Sequence, residues 1–356
     1  MVFFYIGLIN TIFLRGIPMK VTISDVAKAA NVAKSTVSKV LNDSPKISAE
    51  TKLRVREIMK QMNYIPSSIA TGLARQSSHT VGLLIDMSKE SEFLNQFFYN
   101  IIGGIESVIG PLGYELTLCN IQHLAAEEHF LNRLVLNQRV DGIIANNSVL
   151  TEELSKELNR LRFPFVSIGE MDPAASWVDF DNEAGGRMLT SHLLQQGYRY
   201  PAFIGGQQNE RIFSHRLRGY LQALQQRDST ARQDWIVNGP ADEYEGYRAA
   251  LKLLQGEDRP DSVVCMTNYT AFGVLKAARE LGIEVPGQLG IAAFDEYPLS
   301  RYTTPPLTSL NIDTFKLGVT SGQWLMDHIQ GRCTASRRLL LEPELISRES
   351  TAGLQQ

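Results

Sequence analysis

The 356-residue chain has only 3 cysteines, 6 histidines and 8% aromatic residues. Cys119, Cys265 and Cys333 stand far apart, with no CxxC and no Cys/His metal spacing. A disulfide scaffold and a zinc module are therefore excluded, and all three read as small buried hydrophobes in a reducing compartment. His123 and His129 also lack metal-ligand spacing, so no metal is expected. GxGxxG, GxxxxGK[ST] and GxSxG are absent, which removes the ordinary dinucleotide, P-loop and hydrolase signatures and argues against an enzyme. Asp179-Phe180-Asp181-Asn182-Glu183 starts like a calcium loop but has Ala184 where glycine is needed and Thr190 where the closing glutamate belongs. Its expected work is to end a strand and cap a helix. No cofactor is expected.

Long apolar runs are scarce too. Residues 1–18, MVFFYIGLINTIFLRGIP, are mostly apolar, but the only charge, Arg15, follows the run and no A-x-A cleavage site appears. The run is shorter than the roughly 20 residues that cross a bilayer. A leader outside the fold, an over-extended start before Met19, is expected over a membrane anchor.

What the chain does have is an asymmetry of charge. The formal net charge is -3, yet residues 19–79 hold ten Lys and Arg against four Asp and Glu, a net of +6. With Arg15 counted, residues 80–356 carry -10. A small basic head on a large acidic body points to a polyanion partner for the head alone.

Three helices are predicted in the head. Ser24 is placed to cap the first, with Asp25 in its first turn and Val26, Ala27 and Ala30 as an apolar stripe. The second runs from about Lys34 to Leu41, with Val37, Val40 and Leu41 on one face and Lys34, Ser35, Ser38, Lys39 and Asn42 on the other. Ser48 is expected to cap the third, which runs through Met62 with Leu53, Val55, Ile58, Met59 and Met62 as core. A helix-turn-helix needs this division, one side packed and the other offered to base edges. An ordinary amphipathic bundle with a solvated basic face fits the periodicity equally well.

The body alternates strand-length apolar runs with helical stretches. The strands expected are 81–86, 114–120, 142–145, 164–169, 177–180, 202–206, 235–237, 262–266, 290–294 and 307–312, with helices near 96–110, 125–137, 151–162, 213–227, 243–255 and 269–281 and another reaching about 196. Continuous apolar strands separated by helices mean parallel sheet covered on both faces. So many units imply two doubly wound lobes, with the default ligand site in the cleft at the strands' carboxyl ends.

The run VTISDVAKAANVAKSTVSKVLN, the SxxT start of the third helix, NYIP with its hinge, and then VDFDN, AFIGG, LGIAAFDEYPLSRYTTPPLTSL and LEPELISREST together resemble the lac/gal repressor family of bacterial transcription factors. The motifs cover nearly all of 20–352, in order. The resemblance implies an α/β protein: an all-α helix-turn-helix domain (19–65), a hinge helix and linker (66–79), and a two-lobed periplasmic-binding-protein-like body of doubly wound parallel sheets (80–356), its lobes joined by three crossing segments. Lys34, Ser35 and Lys39 fall at base-reading positions, and Thr22, Ser38, Asn42, Ser48, Thr51 and Tyr64 where phosphates are held. Ala70 and Leu73 fall in the hinge helix, the leucine wedged into the minor groove. Phe97, Phe98, Asn147, Arg216, Asn268 and Asp295 fall at the effector cleft. There the forked donors of Arg216 and the acceptors of Asp295 would serve paired sugar hydroxyls. Phe97 and Phe98 equally suit core positions.

Some positions depart from the family pattern. Ser67 stands where asparagine follows NYIP, Gly72 sits inside the hinge helix, Tyr269 replaces a frequent aspartate, and Tyr198 replaces the usual histidine. The implied function is a cytoplasmic repressor that binds a near-palindromic operator as a homodimer, with a mono- or disaccharide as effector and no membrane partner. The five residues AGLQQ after the last motif are too short for a heptad tail, so a tetramer is not expected. A purine or other non-sugar metabolite, a corepressor in place of an inducer, and a plain solute-binding protein are the alternatives.

Overall fold

A computed structural model describes residues 21–64, 77–85, 96–120, 130–172, 174–227, 231–256 and 258–353. The leader 1–18, the hinge residues Ala70 and Leu73, His123, His129 and the Phe97 side chain lie outside the described residues. The chain divides into two compact units at Ser78/His79.

The first unit has helices α1 (Ile23–Ala29), α2 (Lys34–Leu41) and α3 (Ala49–Gln61). Each stops in the same way. Asn31, Asp43 and Asn63 take left-handed φ of 50°, 47° and 49°. The next amide then reaches back to the last turn: Val32 to Ala27, Ser44 to Lys39 and Tyr64 to Met59, at 3.0, 2.9 and 2.9 Å. Asn and Asp are the non-glycine residues that best tolerate this conformation. The core is Val26, Ala27, Ala30, Val37, Val40, Val55 and Met59.

Two expectations need correction. Thr22, not Ser24, caps α1: its amide and hydroxyl both donate to the Asp25 carboxylate, at 2.9 and 2.7 Å. Leu53 is 64% exposed, not core. On α3 the residues that share the Val55 face are 58, 59 and 62, whereas 53 lies across the helix.

In the second unit, one sheet comprises β1 (Thr80–Ile85), β2 (Glu115–Asn120), β3 (Gly142–Asn146), β4 (Phe165–Ile168), β5 (Trp177–Phe180) and β11 (Arg338–Leu341). Its order is β11-β5-β4-β3-β1-β2, all parallel. The other comprises β6 (Pro201–Ile204), β7 (Ile236–Val237), β8 (Ser262–Cys265), β9 (Gly290–Ala293), β10 (Thr308–Asn311) and β12 (Glu344–Ile346). Its order is β12-β10-β9-β8-β6-β7, with only β12 antiparallel. Apolar clusters cover both faces of each sheet, as doubly wound architecture requires. The chain crosses between lobes three times: after β5, after β10, and between β11 and β12.

The helices used below are α4 (Gln96–Ile109), α5 (Glu152–Arg160), α6 (Asn182–Gln195), α7 (Arg211–Gln225), α8 (Glu243–Leu254), α9 (Asn268–Glu280) and α10 (Thr314–Ile329). Three pairs pack at backbone contact through one glycine on each partner: Gly104 with Gly318, Gly186 with Gly219, and Gly246 with Gly273. A Cβ at any of the six would run into the facing helix backbone. Residues 131–136 form a π-helical turn inside the helix expected near 125–137. Cys119 and Cys265 are buried, but Cys333 is only half-buried, so the reading of all three as buried fails there.

Candidate functional site

On α2 the periodicity that buries Val37 and Val40 leaves Lys34, Ser35 and Lys39 exposed on the other side. The neighbouring polar residues are anchored by short-range bonds. Asn42 donates its amide to the Ser38 carbonyl at 3.1 Å. Ser48 caps α3, accepting from the Thr51 amide at 3.3 Å and donating its hydroxyl to Thr51 Oγ1 at 2.9 Å. Tyr64 packs against the small core, and burial raises its pKa. The unit thus displays donors and cations on a rigid three-helix frame, which suits a polyanion with base edges between its charges.

In the second unit a cavity of about 190 Å³ is lined by residues of both lobes and of the crossing after β10, among them Asn100, Asn268, Asp295, Tyr297, Arg301 and Thr314. Asn268 opens α9 just past β8 and is 4% exposed. Asp295 lies just past β9 at φ 67°, a strained setting of the kind found at binding sites.

Arg216 lies behind this wall and is 3% exposed. Its Nε donates to Asn182 Oδ1 at 2.9 Å, Nη1 to the Met266 carbonyl at 2.5 Å and Nη2 to Asp295 Oδ1 at 3.3 Å. The guanidinium sits 3.9 Å above the Phe294 ring. Burial lowers its pKa, opposed first by Asp295. With its fork already engaged, Arg216 braces Asp295 in place of lining the cavity. Asn182, at the first crossing, carries the chain of bonds onward by donating to the Phe180 carbonyl at 3.1 Å. Burial raises the pKa of nearby Asp179 against the amide bonds it accepts from Glu170 and Phe180. Asp181 caps α6 by accepting from the Ala184 amide, as the strand-ending reading of that acidic run expected.

Asn147 is packed beneath Gly169 and donates to the Glu170 carbonyl at 3.4 Å. Phe98 packs against the core of the first lobe, and the polar group that α4 gives the cavity is Asn100. An asparagine inside the apolar run QFFYNIIGGI was the available signal. Glu296 was also missed. It lines the cavity and accepts both Arg348 Nη groups, at 2.6 and 2.9 Å, and the Ser309 hydroxyl. Burial alone would raise its pKa, but these bonds hold it below the ordinary carboxylate range. Two contacts bridge the lobes from α7: Arg211 to Glu152 at 3.2 Å and His215 to Glu170 at 3.6 Å.

Residues 22–67 match the family model described as bacterial regulatory proteins, lacI family, and residues 190–351 match a periplasmic binding protein-like domain. The chain is similar to the HTH-type transcriptional repressor PurR of Aliivibrio salmonicida, with 30% identity covering 94% of this chain and 99% of that protein. It is similar also to PurR of Pectobacterium carotovorum, with 32% identity covering 93% and 97%. Among solved structures, the lac repressor dimer bound to operator and the anti-inducer ONPF superposes with a TM-score of 0.79 at 25% identity, covering 93% and 99%. A CelR–cellobiose complex superposes with a TM-score of 0.70 at 27% identity over the same shares. No helix among the described residues is long and apolar enough to cross a membrane.

Proposed function

The chain belongs to the lacI family of bacterial regulatory proteins and is a DNA-binding transcriptional repressor; from that premise we propose that it grips a near-palindromic operator as a homodimer, under control of a small molecule held between its lobes. Lys34, Ser35 and Lys39 read base edges, whereas Thr22, Ser38, Asn42, Ser48, Thr51 and Tyr64 hold phosphates. Ala70 and Leu73 belong to the minor-groove hinge. Two copies are needed because one helix-turn-helix covers too few base pairs to be specific. The protein works in the cytoplasm, as a regulator and not an enzyme.

The observation that carries the effector reading is the polar cavity where the lobes meet, with Asn268 and Asp295 on its wall and Arg216 bracing Asp295 from behind. At about 190 Å³ it is smaller than the roughly 300 to 1,000 Å³ of typical ligand pockets, which supports a compact effector, the size of one sugar or one nucleobase, over a disaccharide. The relatives called PurR favour a purine or other non-sugar metabolite over the sugar first expected. Tyr297 offers such a base an aromatic face, and Asn268 can pair with both a donor and an acceptor on its edge. The sugar reading keeps the support of the cellobiose-bound neighbour.

A thermal-shift screen of purine bases, nucleosides, monosaccharides, disaccharides and sugar phosphates tests this. A specific ligand at 100 times its Kd stabilises the fold by about 2.7 kcal/mol. Stabilisation by a purine alone supports the reading, a monosaccharide alone restores the sugar, and no hit in any class removes small-molecule control through the cleft.

A further inference from the structure

The turn that closes the recognition helix carries a charge cluster. Asp43 sits just past α2 at φ 47°. Lys52 reaches it from α3 and bonds both its carbonyl and its carboxylate, each at 3.0 Å. Arg56, one turn further along α3 and on the same face, bonds the same carboxylate oxygen at 2.8 Å. Lys52 is the residue after Thr51 in the first turn of α3, the turn read above as holding a phosphate. Two cations therefore stand beside the expected DNA backbone, and one carboxylate occupies both.

We propose that Asp43 is a positioning residue that limits the head's affinity for DNA of any sequence, by holding Lys52 and Arg56 in an internal staple. The proposal rests on DNA binding by this head and is independent of the effector. The Arg56 pair is exposed on both sides, at 55% and 70%, and is therefore weak and salt-sensitive, so phosphate can compete for Arg56, whereas Lys52 is only 17% exposed and is held more firmly. Its cost to general affinity serves discrimination: a repressor must leave random DNA in order to find its operator, and electrostatic grip supplies most of nonspecific binding. The same contacts fix the exit of α2, so the staple also holds the reading helix at a set angle to α3.

The test uses the full chain and a random-sequence duplex of about 24 base pairs, titrated across a salt series. Asp43→Asn keeps a residue that tolerates positive φ and removes the charge. It should tighten binding about five- to tenfold near 0.1 M salt and steepen the log–log salt slope by about one to two. A role in helix geometry alone would weaken operator binding and leave that slope unchanged, so an unchanged slope overturns the proposal. Arg56→Gln supplies the second arm. In the wild-type background it should reduce the slope by well under one, because Asp43 competes with phosphate for that cation. In the Asp43→Asn background it should reduce the slope by about one. Equal reductions in both backgrounds would mean that Arg56 meets phosphate freely, and the staple would be refuted. Measurement of Arg56→Gln in the wild-type background decides the matter even where Asp43→Asn unfolds the head. Absence of all duplex binding by wild type would instead remove the DNA-binding reading itself.

Discussion

The head and the body solve recognition in opposite ways. In the head, local rules suffice: three helices, each stopped by a left-handed Asn or Asp, close over a core of seven buried residues and leave Lys34, Ser35 and Lys39 exposed. In the body, the functional groups are wired inward. Asp295 depends on Arg216, Arg216 on Asn182 and Met266, and those on the register of helices that touch backbone to backbone. A polyanion is met by mobile charges on a small frame, whereas a small ligand requires polar groups preorganised in a site shielded from water. The head should therefore be sensitive to the loss of any core methyl, and the body to changes in long-range fit.

The strongest test of that contrast is Gly219→Val. A side chain there meets the backbone of α6 at Glu183 and Arg187, with no flexible neighbour to move aside. We expect a loss of more than about 4 kcal/mol in the body, in the range reserved for severe overpacking. Calorimetry should show the body transition lowered or absent and a head transition unchanged; a body that melts normally would show that the helix pair can spread. Next in size is Val37→Ala, which empties part of the head core beneath the reading face. A cost of about 2 kcal/mol is expected. In so small a unit that is a large share of the total, so operator binding should collapse while the body transition stays put. Equal damage to both transitions would mean that the two units do not fold separately.

The same contrast decides how much was legible in advance. α2 was read to the residue, because its periodicity and the polar loop that ends it act within one or two turns of the chain. The body strands up to β10 were found from their apolar runs. α10 was not, since TFKLGVTSGQWLMDHI is crowded with β-branched residues, serine and glycine, which are poor helix formers. Those small residues are there because Gly318 must lie against α4, a constraint visible only once both helices are placed. β11 and β12 were missed because they are short and half-exposed. At the cavity wall, Asp295 was expected from its place beyond a strand end and Asn268 from the family resemblance. The bracing role of Arg216 and the Glu296–Arg348 pair were not, because each joins residues far apart in sequence, at positions 216 and 295 and at positions 296 and 348.

The smallest expected effect sharpens the comparison through pH. All six histidines lie outside residues 21–64, so the head has none to titrate near neutrality. In the body, His192 is buried in the last turn of α6 with Nε2 2.7 Å from Thr351 Oγ1, a contact that ties the SREST segment to the lobe. Burial lowers its pKa, and burial lowers that of His328 as well. The unfolded chain therefore takes up protons as pH falls through the ordinary histidine value of 6.5, while the folded body resists them. Below that pH the unfolded state holds more protons and stability falls; well above it these histidines add no slope. The body transition should drop by about 2 °C between about pH 7.5 and about pH 5.5, and the head transition should stay level. In the head, hydrogen bonding to Asp25 and Asp43 lowers both carboxyls below 3.8, so any loss there begins only in stronger acid. His192→Gln keeps a polar partner for Thr351 without a titrating ring and should flatten the body's dependence. An unchanged slope in that variant would move the effect to His328 or to the carboxylates, and a head that softened in step with the body would break the separation on which the comparison rests.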